Sequence, residues 1–156
     1  MQLIDILARD RVAADVRVSS KKRLLEFLAN LLAVDSGPGI ERAIFEALIS
    51  REHLGSTGLG QGVAIPHGRV GGEIPPTAAF IRLKSPIDFD APDGEPVDLV
   101  LALVVPEHFT DQHLTLLAQV AELFSHPEVC AELRIAGDAQ QLLERLKERT
   151  LQFNEV

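Results

Sequence analysis

Tryptophan and tyrosine are absent from this sequence, and phenylalanine occurs only seven times among 156 residues. Proteins that bind single-stranded nucleic acid usually stack the bases on aromatic side chains, which this composition hardly supplies. The formal net charge of −8, from 23 acidic and 15 basic residues, also opposes a phosphate backbone as a partner. The sequence therefore predicts no nucleic-acid ligand and a core built mainly from aliphatic side chains.

Cysteine is nearly absent as well, because Cys130 is the only one in the sequence. A single cysteine excludes an intrachain disulfide and a cysteine-rich zinc site. The longest apolar run, Leu99 to Val105, is far shorter than the roughly 20 residues that a membrane helix needs. The N-terminus has no basic region followed by an apolar one, as a signal peptide would. These absences predict a soluble, cytoplasmic protein without a membrane span.

The apolar residues predict several strands in a chain whose length suits one domain. Apolar and polar residues alternate from Val12 to Val18, which indicates a half-buried strand. The segments Ala78 to Leu83 and Val97 to Val105 are almost continuously apolar, which is typical of strands covered on both faces. Val63 to Ile65 predicts a short strand that Pro66 ends.

Apolar residues at helical spacing predict five helices. The first helix carries Leu24, Leu25, Leu28, Leu31 and Leu32, and the second carries Ile44, Phe45, Leu48 and Ile49. The third carries Leu114, Leu117, Val120, Ala121 and Phe124. The fourth is a short helix around Cys130, and the last carries Leu142, Leu143 and Leu146. Ser19 or Ser20, Thr110 or Asp111, and Asp138 can cap three of them, and residues 36–39 predict a turn. Strands mixed with helices in this order indicate a single α/β domain with helices on both sides of a sheet.

Side chains capable of chemistry concentrate in two segments, Arg51 to Arg69 and Glu107 to His113. His67 is the sharpest candidate because it stands between the rigid Pro66 and the unhindered Gly68, in a glycine-rich loop that would expose its imidazole. Neutral imidazole is a good nucleophile toward phosphorus, and an ordinary pKa of ~6.5 leaves much of it neutral in the cytoplasm. The alternative is a loop histidine with no role.

Two further residues can support a phosphoryl group on His67. His113 falls in the first turn of the helix predicted from Thr110, where free N–H groups and the helix dipole favour an anion. Arg51 offers a planar fork of donors that suits phosphate. The alternatives are a solvated helix histidine and, for the arginine, a role at the helix end or an exposed ionic contact with Glu52.

Three competing motifs fail on inspection. Gly58, Gly60 and Gly62 precede a strand rather than opening a helix, and neither a Lys-Ser/Thr pair nor GxGxxG is formed, so they are not a nucleotide-binding loop. Glu107-His108 followed by His113 does not supply a metal-hydrolase ligand set, and His108 is assigned no role. A GxSxG nucleophile elbow is absent.

The segment from residue 51 to 68, REHLGSTGLGQGVAIPHG, strongly resembles the signature of the enzyme IIA proteins of the phosphoenolpyruvate-dependent phosphotransferase system. It resembles the fructose/mannitol class, which includes the nitrogen-regulatory enzyme IIA. A second match is PVDLVLALVVP at 96–106, followed by His113-Leu114. The resemblance runs along essentially the whole chain, and it implies one enzyme IIA domain over residues 1–156, with a mixed β-sheet sandwiched by helices.

The resemblance also implies a function and a set of site residues. His67 would be phosphorylated by a small histidine phosphocarrier protein (the HPr type or its nitrogen-branch counterpart), with no cofactor or metal. Arg51 and His113 would flank the phosphoryl group, and Thr57 would add a hydroxyl contact. The stretch FDAPDGEPVD at 89–98 is more similar to the nitrogen-regulatory branch than to a sugar-specific one. The sequence thus predicts a phosphoryl-transfer protein that regulates target proteins through its phosphorylation state, rather than a small-molecule enzyme.

Two other functions stay open at this point. A sugar-transport enzyme IIA subunit, which passes its phosphate to an enzyme IIB domain, would have the same size. A module that binds partners without carrying phosphate could have the same fold, although the presence of Arg51, His67 and His113 together argues against it.

Overall fold

The computed structural model describes residues 1–72 and 74–154, except for the side chains of Pro38 and Asn154. This part of the chain contains five α-helices and six β-strands. The helices are α1 (Lys21–Leu32), α2 (Pro38–His53), α3 (Asp111–Phe124), α4 (Pro127–Ile135) and α5 (Ala139–Asn154). The strands are β1 (Val12–Val16), β2 (Gly58–Gly60), β3 (Val63–Ala64), β4 (His67–Val70), β5 (Thr77–Ile87) and β6 (Val97–Pro106). Two short 3-10 helices, Leu3–Asp5 and Arg9–Arg11, precede β1.

The strands form one mixed sheet in the order β1-β5-β6-β3-β2, in which β4 also pairs with β6. Strand β6 is antiparallel to β5 and parallel to both β3 and β4. The latter two follow one another along β6, with Val63 opposite Leu99 and His67 opposite Leu103. This arrangement confirms the predicted mixed sheet.

Two hydrophobic clusters cover the two faces of the sheet, which confirms the predicted layers of helices. Leu101 and Leu103 of β6 belong to the cluster that contains the apolar residues of α3, α4 and α5. Val100 and Ala102 belong to the cluster that contains those of α1 and α2. Because side chains alternate across a strand, a strand covered on both faces must be apolar throughout, as β6 is.

Strand β1 differs from its prediction. It ends at Val16 rather than at Val18, and Asp15 has a left-handed backbone with φ 53° where the register with β5 shifts. Val12 packs into the α3–α5 cluster, whereas Val16 packs into the α1–α2 cluster. A bulge adds one residue and so reverses the alternation of side chains. The regular alternation in the sequence therefore does not correspond to one buried face.

Two of the predicted helix caps are confirmed. The Ser20 hydroxyl accepts a hydrogen bond from the N–H of Arg23 at 3.2 Å, and the Asp138 carboxylate accepts one from the N–H of Gln141 at 2.9 Å. Such bonds satisfy N–H groups that a helix start leaves without a partner. Thr110 precedes α3 but makes no capping hydrogen bond through its side chain.

Two predictions about helices are wrong, one on where α2 begins and one on which face of α3 is buried. Helix α2 begins at Pro38, so the second half of the predicted turn is helical. On α3, Leu114 is 67% exposed, while His113 is 7% exposed and lies on the buried face with Leu116 and Val120. Both sets of residues have helical spacing, so periodicity alone does not decide which face packs on the sheet.

The glycine-rich segment after α2 forms the β2–β3 hairpin rather than a loop around His67. Its turn has positive φ at Gly60, Gln61 and Gly62, which is why glycine is needed at two of these positions. The hairpin turn lies at the start of β6, where the N–H of Asp98 donates to the carbonyl of Gly62. Within the described residues, none of the helices is long and apolar enough to cross a membrane.

Candidate functional site

His67 begins strand β4 and does not lie in the exposed loop that the sequence predicted. Its backbone is fixed by parallel pairing with β6, opposite Leu103, and its side chain is half-buried. This strand is hard to recognise from sequence, because four residues that include a glycine are too short to show an alternating pattern. The imidazole is therefore held by the sheet itself.

A hydrogen bond to the backbone fixes the tautomer of His67. Its Nδ1 lies 2.8 Å from the carbonyl oxygen of Ile65, and because a carbonyl only accepts, Nδ1 must carry the hydrogen. The lone pair of the neutral ring is then on Nε2. Burial, the largest effect, lowers the pKa of His67 from its ordinary value; the Arg51 charge lowers it too, while the Ile65 bond and the Glu52 charge raise it. The neutral ring with a free Nε2 is the nucleophilic form.

His113 packs edge-on against His67, with ring centroids 5.4 Å apart and ring planes at 78°. Its Nε2 is buried and has no hydrogen-bond partner among the described residues. Burial, followed by the charges of His67 and Arg69, lowers the pKa of His113 to about 4, so the ring is neutral at physiological pH. A buried polar atom without a partner costs free energy, which an oxygen of a bound phosphoryl group would recover. The alternative of a solvated helix histidine is wrong.

Helix α2 brings Arg51 to the same place. It packs closely on β4, because a Cβ added to Gly68 would lie only 3.0 Å from the Cβ of Ala47. Arg51 is about one turn further along the helix, and its Nη1 donates to the carbonyl of Gly55 at 2.9 Å. This bond orients the guanidinium and leaves its other N–H groups available to a ligand.

An open cavity of about 610 Å³ joins His67, His113 and Arg51. Two exposed leucines, Leu54 and Leu114, also line it. A further cation, Arg69, lines the same cavity and was missed by the sequence analysis. Residues two apart on a strand lie on the same face, so recognising β4 would have placed Arg69 beside His67.

Thr57 does not line this cavity. Its hydroxyl donates to the carboxylate of Glu52, and its N–H lies 3.2 Å from the same group. A direct contact between this hydroxyl and a phosphoryl group stays a prediction, and the hydroxyl already has a partner. Glu52 itself is buried and pairs with Lys21 at 2.9 Å, so the alternative of an exposed contact with Arg51 is wrong.

His108, to which the sequence analysis assigned no role, does not line the cavity. Its ring packs edge-on against that of Phe109, with ring centroids 5.6 Å apart. Over residues 1–72 and 74–154, no group of three or more His, Cys, Asp or Glu side chains is arranged to hold a metal ion.

Comparison with known proteins gives the family. Residues 5–149 match the family described as the phosphoenolpyruvate-dependent sugar phosphotransferase system, EIIA 2. The chain belongs to the EIIA 2 family. The nitrogen regulatory protein of Pseudomonas aeruginosa is 46% identical over 142 residues, which are 91% of this chain and 92% of that protein. The crystal structure of nitrogen regulatory protein IIA-Ntr from Neisseria meningitidis is 44% identical with a TM-score of 0.86, over 92% of this chain and 98% of that one.

A protein of lower sequence identity has the same fold. In the complex of IIAMtl and phosphorylated IIBMtl from Escherichia coli, the matching chain is 18% identical with a TM-score of 0.75, over 91% of this chain and 97% of that one. This similarity concerns the fold alone. Family membership, the mixed sheet and the similarity to nitrogen-regulatory members, all expected from the sequence, are confirmed. The family gives the chain a phosphocarrier role in the phosphotransferase system.

Proposed function

We propose that this EIIA 2 protein carries a phosphoryl group on Nε2 of His67 and serves as a nitrogen-regulatory phosphocarrier. The hydrogen bond from Nδ1 of His67 to the carbonyl of Ile65 is the observation that carries the proposal. It directs the free lone pair of a neutral imidazole away from the backbone. Arg51 and His113 line the same cavity and supply donors for an anion.

The transfer step runs between two histidines on different proteins. The lone pair of His67 Nε2 attacks phosphorus, the new P–N bond forms, and the P–N bond to the donor imidazole breaks. The electron pair of the broken bond stays on the donor nitrogen. His67 keeps its Nδ1 hydrogen, so the positive charge gained by its ring faces the carbonyl oxygen of Ile65. Such a reaction depends chiefly on the positions of the reacting groups and on electrostatic stabilisation of the phosphoryl oxygens.

Three side chains provide that stabilisation. Arg51 and Arg69 are cations on the wall of the cavity, and phosphoryl oxygens accept hydrogen bonds from guanidinium groups. His113 in its Nε2–H tautomer donates a hydrogen bond to a third phosphoryl oxygen, which gives the buried Nε2 the partner that it lacks among the described residues. A neutral His113 adds a donor without repelling the imidazolium that forms on His67.

The exposed apolar rim of the cavity supports a protein as the donor. Leu54 is 84% exposed and Leu114 is 67% exposed, and both line the same cavity as His67. Large exposed apolar side chains around a reactive group are typical of a docking surface. We therefore assign the donor to a histidine phosphocarrier protein, of the HPr type or its nitrogen-branch counterpart, in the cytoplasm. We also take residues 1–156 as a single EIIA 2 domain.

Regulation follows from the charge that phosphorylation adds. A phosphoryl group brings roughly two negative charges to this cavity and its rim at neutral pH. A target protein that docks on the rim would then distinguish the two states of His67. The similarity to nitrogen regulatory proteins, at 44–46% identity over most of the chain, favours this output over sugar transport.

A sugar-transport role is the second candidate, because the Escherichia coli mannitol protein of the same fold is in complex with phosphorylated IIBMtl. The two functions separate in one experiment. The protein is incubated with phosphoenolpyruvate, enzyme I and a histidine phosphocarrier, and an acid-labile mass increase is mapped by proteolysis. We expect the label on His67, none in His67→Ala, and no onward transfer to enzyme IIB domains of the fructose and mannitol types. Rapid transfer to either domain would favour the transport role, and an unlabelled protein with an active donor would favour a binding-only module.

A further inference from the structure

A buried carboxylate outside the cavity lining is close enough to His67 for its charge to raise the pKa of the ring. It belongs to Glu52, which follows Arg51 directly in the last turn of α2. We propose that Glu52 is a positioning residue for His67, acting through Thr57 and the backbone of Ile65. This inference rests on the proposed phosphorylation of His67.

The first link holds the Glu52 carboxylate in one place. The side chain is 5% exposed and pairs with the ammonium of Lys21 at 2.9 Å. Lys21 is itself held by the carbonyl of Phe89 at 3.2 Å, and its ammonium lies 4.4 Å from the centre of the Phe89 ring. The N–H and the hydroxyl of Thr57 both donate to the carboxylate. A buried carboxylate with this many partners has one position.

The second link runs from Thr57 to the reactive ring through two backbone hydrogen bonds. The carbonyl of Thr57 accepts from the N–H of Ile65 at 3.0 Å. The carbonyl of Ile65 in turn accepts from Nδ1 of His67 at 2.8 Å. The orientation of that last carbonyl decides which nitrogen of His67 carries the hydrogen. Glu52 therefore controls the tautomer of His67 by holding Thr57, which holds Ile65.

The charge of Glu52 also suits the transfer step. As the P–N bond forms on Nε2, the His67 ring becomes an imidazolium that still carries its Nδ1 hydrogen. The negative charge of Glu52 stabilises that cation, and hydrogen bonds linked in series polarise one another. Arg51 and Glu52 thus have complementary roles, because the arginine lines the cavity that takes the phosphoryl group and the carboxylate is linked to the ring through Thr57 and Ile65. One turn of α2 supplies both charges.

Two test substitutions, two controls and a rescue variant, Thr57→Ser, in the full chain test this arrangement. Glu52→Gln removes the charge, and Thr57→Val removes the hydroxyl. Glu132→Gln breaks another ion pair, with Arg149, on helices outside the cavity lining. Thr77→Val removes another buried hydroxyl, which donates to the carbonyl of Pro75 at 2.8 Å. The rate of His67 phosphorylation and the tautomer of His67, read from the ring ¹⁵N shifts by NMR, are measured for each folded variant.

We expect the rate to fall on the order of tenfold in Glu52→Gln and Thr57→Val, as for other carboxylates that orient a functional histidine. The Nδ1–H population of His67 should fall in both. The two control variants should keep the wild-type rate and tautomer, even where they lower stability. Thr57→Ser should have the wild-type rate and tautomer, because it keeps the hydroxyl. If Glu52→Gln does not fold, the comparison of Thr57→Val with Thr57→Ser tests the proposal.

The outcomes separate this inference from the proposed function. If the wild-type protein is labelled on His67 but Thr57→Val matches Thr77→Val in rate and tautomer, the role of Glu52 is wrong and the phosphocarrier function stands. If the wild-type protein takes no label, the proposed function fails. The NMR signal then still tests the arrangement, because a loss of Nδ1–H in Thr57→Val and its return in Thr57→Ser supports it, and an unchanged tautomer overturns it.

Discussion

Gly68 of β4 lies so close to Ala47 of α2 that a Cβ on the glycine would be 3.0 Å from the alanine Cβ and 3.1 Å from its carbonyl carbon. The contact joins the strand that carries His67 to the helix that carries Arg51. The distance between the nucleophile and the cation thus depends on the absence of one methyl group. Because the obstructing atoms include backbone, the helix must move if a side chain is added.

Replacing Gly68 with alanine should therefore damage the site as well as the fold. We expect a loss of about 1–3 kcal/mol in the free energy of unfolding, as for other overpacked cores, and a phosphorylation rate lowered on the order of tenfold. Gly39→Ala is the matched control, because it lies in the same helix with nothing within 4 Å of its added Cβ. Denaturant unfolding and the initial rate of labelling measure the two effects. A fully active, fully stable Gly68→Ala protein would show that the contact between Gly68 and Ala47 does not set the distance between His67 and Arg51.

His113 should make the stability depend on pH. Its pKa is about 4 in the folded protein and 6.5 ordinarily, because burial disfavours the charged ring. Between these values the unfolded chain binds more protons, so the free energy of unfolding falls as the pH drops from 6.5 toward 4. The loss is on the order of 3 kcal/mol for this one group.

His113→Gln should reduce that pH dependence, and His108→Gln, which removes an exposed histidine near the start of α3, is the matched control. Urea unfolding at a series of pH values from 7 down to about 4 provides the comparison. The remaining slope in His113→Gln includes the contribution of His67, because burial lowers the pKa of His67 in the same direction. Identical slopes in the wild type and His113→Gln would mean that His113 is not buried as described.

Arg69 should act as a second cation of the site, weaker than Arg51 because its side chain is exposed. We expect Arg51→Gln to slow phosphorylation about 100-fold, as the loss of one key donor does elsewhere, and Arg69→Gln only severalfold. Because the Arg69 charge lowers the pKa of His113, Arg69→Gln should also raise that pKa, which NMR titration measures. Arg145→Gln, which removes an exposed arginine of α5, is the control. An unchanged His113 titration would remove Arg69 from the site.

Much of the fold followed from local sequence. The caps at Ser20 and Asp138 and the continuously apolar β6 were predicted because each depends on residues adjacent in the chain or on one periodic run. The signature around His67 likewise led to the correct family.

The parts that were missed depend on contacts between distant segments. The bulge at Asp15 cannot be recognised from the residues of β1, because it is defined by how β1 pairs with β5. Strand β4 is too short to show a period, so Arg69 was not placed beside His67. The path from Glu52 to the reactive ring runs through two backbone carbonyls, which no side-chain pattern encodes.

The nitrogen of His67 that carries phosphate tests the central claim most directly. The protein, labelled with ¹⁵N in its histidines, is phosphorylated by enzyme I and a histidine phosphocarrier, and coupling between phosphorus and the ring nitrogens is recorded by NMR. The hydrogen bond from Nδ1 to the Ile65 carbonyl predicts coupling to Nε2 of His67, with the Nδ1 hydrogen retained. Phosphate on Nδ1, or on any other residue while His67 stays unmodified, would contradict the proposed mechanism.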